Sequence, residues 1–172
     1  MPALLMSLLL AAAAGGGAYL YQAAAGGALV LRRAVEIPAH TATVYFQGGR
    51  VLPAEDVDEF FPHCLLVSRR VGEAPQRVPP GAFTIRRAYP YEEEEGVARL
   101  DAPVRVAAWD TVGLDLADAR TTDYFTTRLE LAGGPFPDAL YFECRQLSDY
   151  ALGDHIRLEE FRQAVGGIWS LG

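Results

Sequence analysis

The sequence predicts a mainly β fold, a sandwich or partly open barrel of about seven or eight short antiparallel strands with a helix at the C-terminus. Three observations predict it. Apolar residues recur at every second position in short runs from Ala28 onward, glycine and proline pairs separate those runs, and only the last stretch changes to helical spacing. With 172 residues, 51% of them hydrophobic, the chain suits one domain with its own core.

The domain is expected over residues 28–172, preceded by a segment 1–27 of different character. The first charged side chain is Arg32, and the chain before it is small or apolar, with a leucine-rich run from Leu4 to Leu10. That pattern predicts a secretory signal, and the small residues Ala23 and Ala25 suit a signal peptidase. A retained N-terminal membrane anchor is the alternative, although Gly15–Gly17 interrupt the helix that a span would need. No cysteine lies in this segment to receive lipid.

From Ala28, one strand runs to Ile37, with Leu29, Leu31, Val35 and Ile37 on one face. A hairpin follows, with arms Ala42–Gln47 and Arg50–Leu52 turning at Gly48 and Gly49, because a two-residue primed turn needs positive φ at both positions. The acidic stretch 54–61 lies between Pro53 and Pro62 and reads as a surface loop or one helical turn. "HCLLVSRRV" is the next strand. Pro80 and Gly81 suit a type II turn, after which Phe83, Ile85, Tyr89 and Tyr91 share a strand face with Arg87.

Glu92, Glu93, Glu94 and Glu95 form a solvated loop or hairpin tip. "PVRVAAW" at 103–109 reads as a short strand and 110–124 as a loop. Phe125 to Leu131 and Leu140 to Cys144 form the last two strands, broken by Gly133 and Gly134. Asp154 is the expected N-cap of a helix over 155–165, on whose face Leu158, Phe161 and Val165 fall, and Gly166 and Gly167 close it before Trp169.

The formal charge of −7 excludes the basic footprint that a nucleic-acid backbone requires. In an oxidising compartment an even cysteine count reads as a bond, here Cys64 to Cys144. His63 beside Cys64 raises a metal or catalytic alternative, but His40, His63 and His155 are far apart and no CxxC or HxxxH pair occurs. No GxSxG, phosphate-binding glycine loop or HExxH is present, and serine occurs only at positions 7, 68, 148 and 170. No catalytic residue, metal or cofactor is therefore expected.

"ATVYFQGGRV", "VDEFFPHCLLV", "PPGAFTIRRAYPY", "FECR" and "LEEFRQAVGGIWSL" together resemble an uncharacterised family of proteobacterial envelope proteins, often lipoprotein-like, over residues 36 to 171. The Pro-His-Cys stretch with a late Cys-Arg is its clearest mark. The resemblance implies export and a disulfide, and no catalytic residue.

Two expectations about function follow. The first is an exported, non-catalytic module in the periplasm or cell envelope of a Gram-negative bacterium. It would bind an envelope protein through acidic loops at 53–62 and 92–101, including Glu92 to Glu95, with N-terminal membrane association as a further contact. The second is a small-ligand-binding β domain using Arg87, Tyr89 and Tyr91.

Overall fold

A computed structural model describes residues 17–94, 122–149 and 152–172. Residues 1–16 therefore lie outside the described part, as do Glu95, the expected strand at 103–109 and most of the expected loop at 110–124.

The chain enters through a short helix α1 (Leu20–Ala23), followed by β1 (Ala28–Leu31), β2 (Val35–Ile37), β3 (Thr43–Gln47) and β4 (Arg50–Leu52). A 3-10 turn at Ala54–Asp56 leads to β5 (His63–Ser68), β6 (Gln76–Val78) and the long arms β7 (Gly81–Glu94), β8 (Thr122–Ala132) and β9 (Ala139–Asp149). Helix α2 (Leu158–Val165) and β10 (Trp169–Leu171) complete it. The main sheet has the order β10-β1-β7-β8-β9-β5-β3-β4, and a two-stranded sheet pairs β2 with β6. The eight strands are antiparallel and curl into a half-barrel, so the chain adopts the partly open barrel. Register shifts between Val67 and Ser68 and between Ile85 and Arg87 add to the curl, since a bulge bends and twists its strand. Both edge strands, β10 and β4, have three residues, which leaves little backbone to template a foreign strand.

The first expected strand breaks in two. Arg32 and Arg33 are adjacent, and a straight strand would aim one at the core, whereas the bend at Arg33 exposes both. Arg32 donates its backbone N–H to Ile168 O at 2.8 Å and its Nε to Ser170 Oγ at 3.0 Å. Beyond the bend, Val35 and Ile37 keep their inward alternation but pair with β6.

The hairpin forms as the glycines require, with φ of 57° at Gly48 and 74° at Gly49. Gly81 opens β7 at a φ of 150°, paired with Leu31 of β1, rather than closing a type II turn. Helix α2 begins later than expected, and its N-cap is Arg157, whose backbone N–H donates to Glu160 Oε2 at 2.7 Å. Asp154 instead accepts from the Arg157 guanidinium at 2.7 Å and from Tyr19 OH at 3.2 Å. The helix ends at Gly166, φ 53°, where a Cβ would stand 2.6 Å from Gly49 Cα. Gly49 N–H donates to Ala164 O at 2.9 Å, so helix end and hairpin turn seat directly on one another.

Trp169 does more than follow the helix. As the first residue of β10 it pairs with Leu31, and its ring lies 5.0 Å from Phe142, 5.7 Å from Phe83 and 5.8 Å from Phe46. Phe161 of α2 adds an edge contact to Phe142 at 6.3 Å. These rings, with Leu29, Leu31, Leu66 and Leu129, form the core inside the curl. Leu20 also belongs to that core, so the folded unit takes in residues upstream of position 28.

Candidate functional site

Cys64 and Cys144 are directly opposed on β5 and β9, with Cα atoms 4.0 Å apart, and they form a disulfide. Both are fully buried among the core residues. The His-Cys question is thereby answered for the cysteine, which has no thiol to offer.

His63 is buried on the opposite face. Its Nδ1 lies 3.0 Å from Phe61 O and its Nε2 3.3 Å from Arg145 Nε. A neutral ring that donates from Nδ1 to the carbonyl and accepts at Nε2 from the guanidinium satisfies both contacts. Burial first, with the Arg145 charge adding to it, holds the imidazole below the usual histidine range, although the Phe61 carbonyl pulls the other way. Among the described residues no three of His, Cys, Asp and Glu stand together as a metal site.

The bulge between Ile85 and Arg87 reverses the facing of the second half of β7. Phe83 and Ile85 point into the core, but beyond the bulge Ala88 packs there instead. Arg87, Tyr89 and Tyr91 therefore fall on the outer face rather than sharing the face of Phe83 and Ile85. The Arg87 guanidinium sits 4.6 Å above the Tyr89 ring, and the Tyr89 and Tyr91 rings are 6.2 Å apart.

Tyr91 joins residues that β8 and β9 bring to the same face. Its hydroxyl donates to Glu143 Oε1 at 2.5 Å and accepts from Arg128 Nη2 at 2.9 Å. Arg128 Nε also donates to Glu143, closing a three-way cluster, and its guanidinium lies 4.1 Å over the Tyr141 ring. Glu143 is only 3% exposed, so these two donors keep a buried carboxylate from being unpaired. Burial raises the Tyr91 phenol well above the tyrosine range, and its hydrogen bond to Glu143 raises it further. Tyr141 is raised by burial and by the Glu143 charge. For Arg128 burial acts downward, but the Glu143 hydrogen bond and charge outweigh it and secure the cation.

Glu92, Glu93 and Glu94 belong to β7 rather than to a loop. Glu92 and Glu93 are exposed, and Glu92 Oε1 lies 3.9 Å from His155 Nε2.

The loop 53–62 is held firmly. Gln47 Nε2 donates to Asp58 O at 2.7 Å and Phe61 O at 3.3 Å, while its Oε1 accepts the Asp58 N–H at 3.0 Å. Asp58 Oδ1 accepts the Phe60 N–H at 3.2 Å, and Glu59 O accepts the Leu147 N–H at 2.7 Å. On this fixed backbone Phe60 is 66% and Phe61 62% exposed. Phe61 borders an open groove of about 390 Å³ between the hairpin turn and α2, lined also by Gln47, Asp58, Pro62 and Gln163. Asp58, which also lines the groove, is exposed, as are Glu55 and Asp56 in the preceding 3-10 turn.

Reading the sequence missed Arg128, Glu143 and the two phenylalanines. A lone carboxylate in "YFEC" and an adjacent Phe pair between prolines were the available signals. No family model, curated protein or solved structure matches this chain.

Proposed function

We propose that the protein is an exported, non-catalytic binding module of the Gram-negative cell envelope that engages a partner protein through the loop 53–62. The observation that carries this reading is the exposure of Phe60 and Phe61 on a backbone pinned by Gln47. Two phenyl rings held in water cost solvation free energy that docking recovers, and a pre-formed loop loses little entropy on binding. Exposed carboxylates in the same loop favour a partner with an apolar cleft and a basic rim. Partner binding is better supported than a small-ligand role for Arg87, Tyr89 and Tyr91, because the Tyr91 hydroxyl and Arg128 already satisfy Glu143. Export rests on the charge-free leader, the disulfide and the resemblance in sequence.

A photo-crosslinking residue at position 60, with the same probe at position 87 as control, tests the reading in intact cells of a Gram-negative host. One protein should be captured from position 60 only, and Phe61→Ala should cut that yield at least about tenfold while leaving thermal stability unchanged. Equal capture from both positions, or a yield indifferent to Phe61→Ala, would refute the loop as the contact.

A further inference from the structure

One buried histidine ties the exposed loop 53–62 to the outer face of the sheet. His63 opens β5 directly after the loop, and its Nδ1 lies 3.0 Å from Phe61 O, the carbonyl that also accepts from Gln47 Nε2 at 3.3 Å. Its other nitrogen, Nε2, lies 3.3 Å from Nε of Arg145, the residue opposite it on β9. A guanidinium N–H can only donate, so Nε2 has to accept and the ring hydrogen has to sit on Nδ1. A single neutral tautomer thus serves the loop carbonyl and the sheet cation at once.

Protonation sets the two contacts against each other. With hydrogen on both nitrogens, the ring turns an N–H and a positive charge toward the guanidinium of Arg145, which lies 4.6 Å over the Tyr124 ring of β8. A buried cation without a counter-charge is costly. The charged groups that act on the ring are Arg145 from β9, which opposes protonation, and Glu59 and Asp58 from the loop, which favour it. From β3 the neutral amide of Gln47 shares its carbonyl. Turning the ring toward water withdraws it from Phe61 O. Drawing in a loop carboxylate disturbs the backbone held by the Asp58 N–H to Gln47 Oε1, at 3.0 Å, and by the Leu147 N–H to Glu59 O, at 2.7 Å. Displacing Arg145 instead would forfeit its place over Tyr124 and still leave a buried N–H without an acceptor.

We propose that the docking loop is released by acid: protonation of His63 loosens the tip that carries Phe60 and Phe61, so the partner is held near neutral pH and let go below it. The proposal rests on docking through loop 53–62 and adds the regulation of that contact. His63 acts as a positioning residue, since it holds the loop and does not itself meet the partner. Burial first, and then the Arg145 charge, hold the imidazole below the usual histidine range, so the release falls below about pH 6.5.

One arm of the test needs no partner. The protein isolated from a Gram-negative host is followed by proton–nitrogen NMR from about pH 7.5 to 4.5, with the His63 ring signals assigned by their loss in His63→Gln. The ring should keep its Nδ1–H form until it titrates, and the Phe60, Phe61 and Leu147 amides should shift with the same midpoint. In His63→Gln those amides should not respond. Arg145→Gln, which keeps the histidine and removes the cation, should raise the midpoint. The other arm uses intact cells, whose periplasm takes the pH of the medium. Capture from a photo-crosslinking residue at position 60 should fall at least about tenfold between about pH 7.5 and 5, and should be equal at the two values in His63→Gln. Amides that ignore the His63 midpoint, a midpoint unmoved by Arg145→Gln, or capture that falls equally in His63→Gln would overturn the switch and leave docking standing. Loop amides that titrate with His63 while position 60 captures nothing at either pH would uphold the coupling and overturn the docking reading.

Discussion

The strands β8 and β9 present two unlike surfaces one residue apart. Leu129, Phe142 and Cys144 face the aromatic core around Trp169, whereas Arg128, Glu143 and Arg145 face outward among Tyr91, Tyr124, Tyr141 and His63. The inner face is held by apolar burial and a covalent cross-link. The outer face is held by charge-assisted hydrogen bonds and cation–π contacts around a buried carboxylate. Adjacent residues of one strand thus depend on different variables. The inner face answers to cavities and reductant, and the outer face to protonation and to the loss of a charge partner.

The comparison breaks most visibly with the disulfide. Its half-cystines are separated by 80 positions, for which loop-closure entropy assigns about 4–5 kcal/mol. Cys64→Ala with Cys144→Ala should lower the unfolding free energy by that order, measured by urea denaturation without reductant. A loss under about 1 kcal/mol would place the stability of the inner face in its packing alone.

A smaller effect is expected across the sheet. Glu143→Gln leaves Arg128 half-buried without its counter-charge, at a cost of about 1–3 kcal/mol. A double-mutant cycle with Tyr91→Phe should show a coupling of about 0.5 kcal/mol or more, because both side chains share one cluster. Additivity would mean that the tyrosine and the ion pair act independently.

The third test separates the faces by pH. Folding depresses the His63 pKa, so the native state favours the neutral ring. The stabilising effect of the neutral ring is fully present above the unfolded value of about 6.5 and is lost as pH falls from there toward the folded value. Urea midpoints from about pH 8 to 5 should therefore fall more steeply for the native sequence than for His63→Gln. Parallel slopes would remove His63 from the pH response, and the disulfide should contribute no such difference.

Much of this architecture was legible because its signals are local. Gly48 and Gly49 have the positive φ that their hairpin needs, and the spacing of Phe161 and Val165 marks α2. The even cysteine count pointed to a bond between Cys64 and Cys144, and the two form it. The facing of Tyr89 and Tyr91 was not legible, because an alternation of period two carries no mark of the bulge at Arg86, and a single extra residue exchanges the two faces. Without that reversal the Tyr91, Arg128 and Glu143 cluster could not be assembled on paper, since each residue comes from a different strand.

What the sequence by itself determined is most strands of the main sheet, the hairpin, the disulfide and the terminal helix, each specified by residues close together or by a count. What only the tertiary structure decided is how those pieces share a core. Trp169–Leu171 is too short to announce itself as a strand and becomes one by pairing with β1. Leu20 lies in an apolar N-terminal segment, and pairing with the distant stretch around Ile156, Arg157 and Leu158 draws that segment into the domain. The physical reason is the same in both cases. Propensity and periodicity describe a segment alone, whereas burial is a property of two segments, and the second one here lies more than a hundred residues away along the chain.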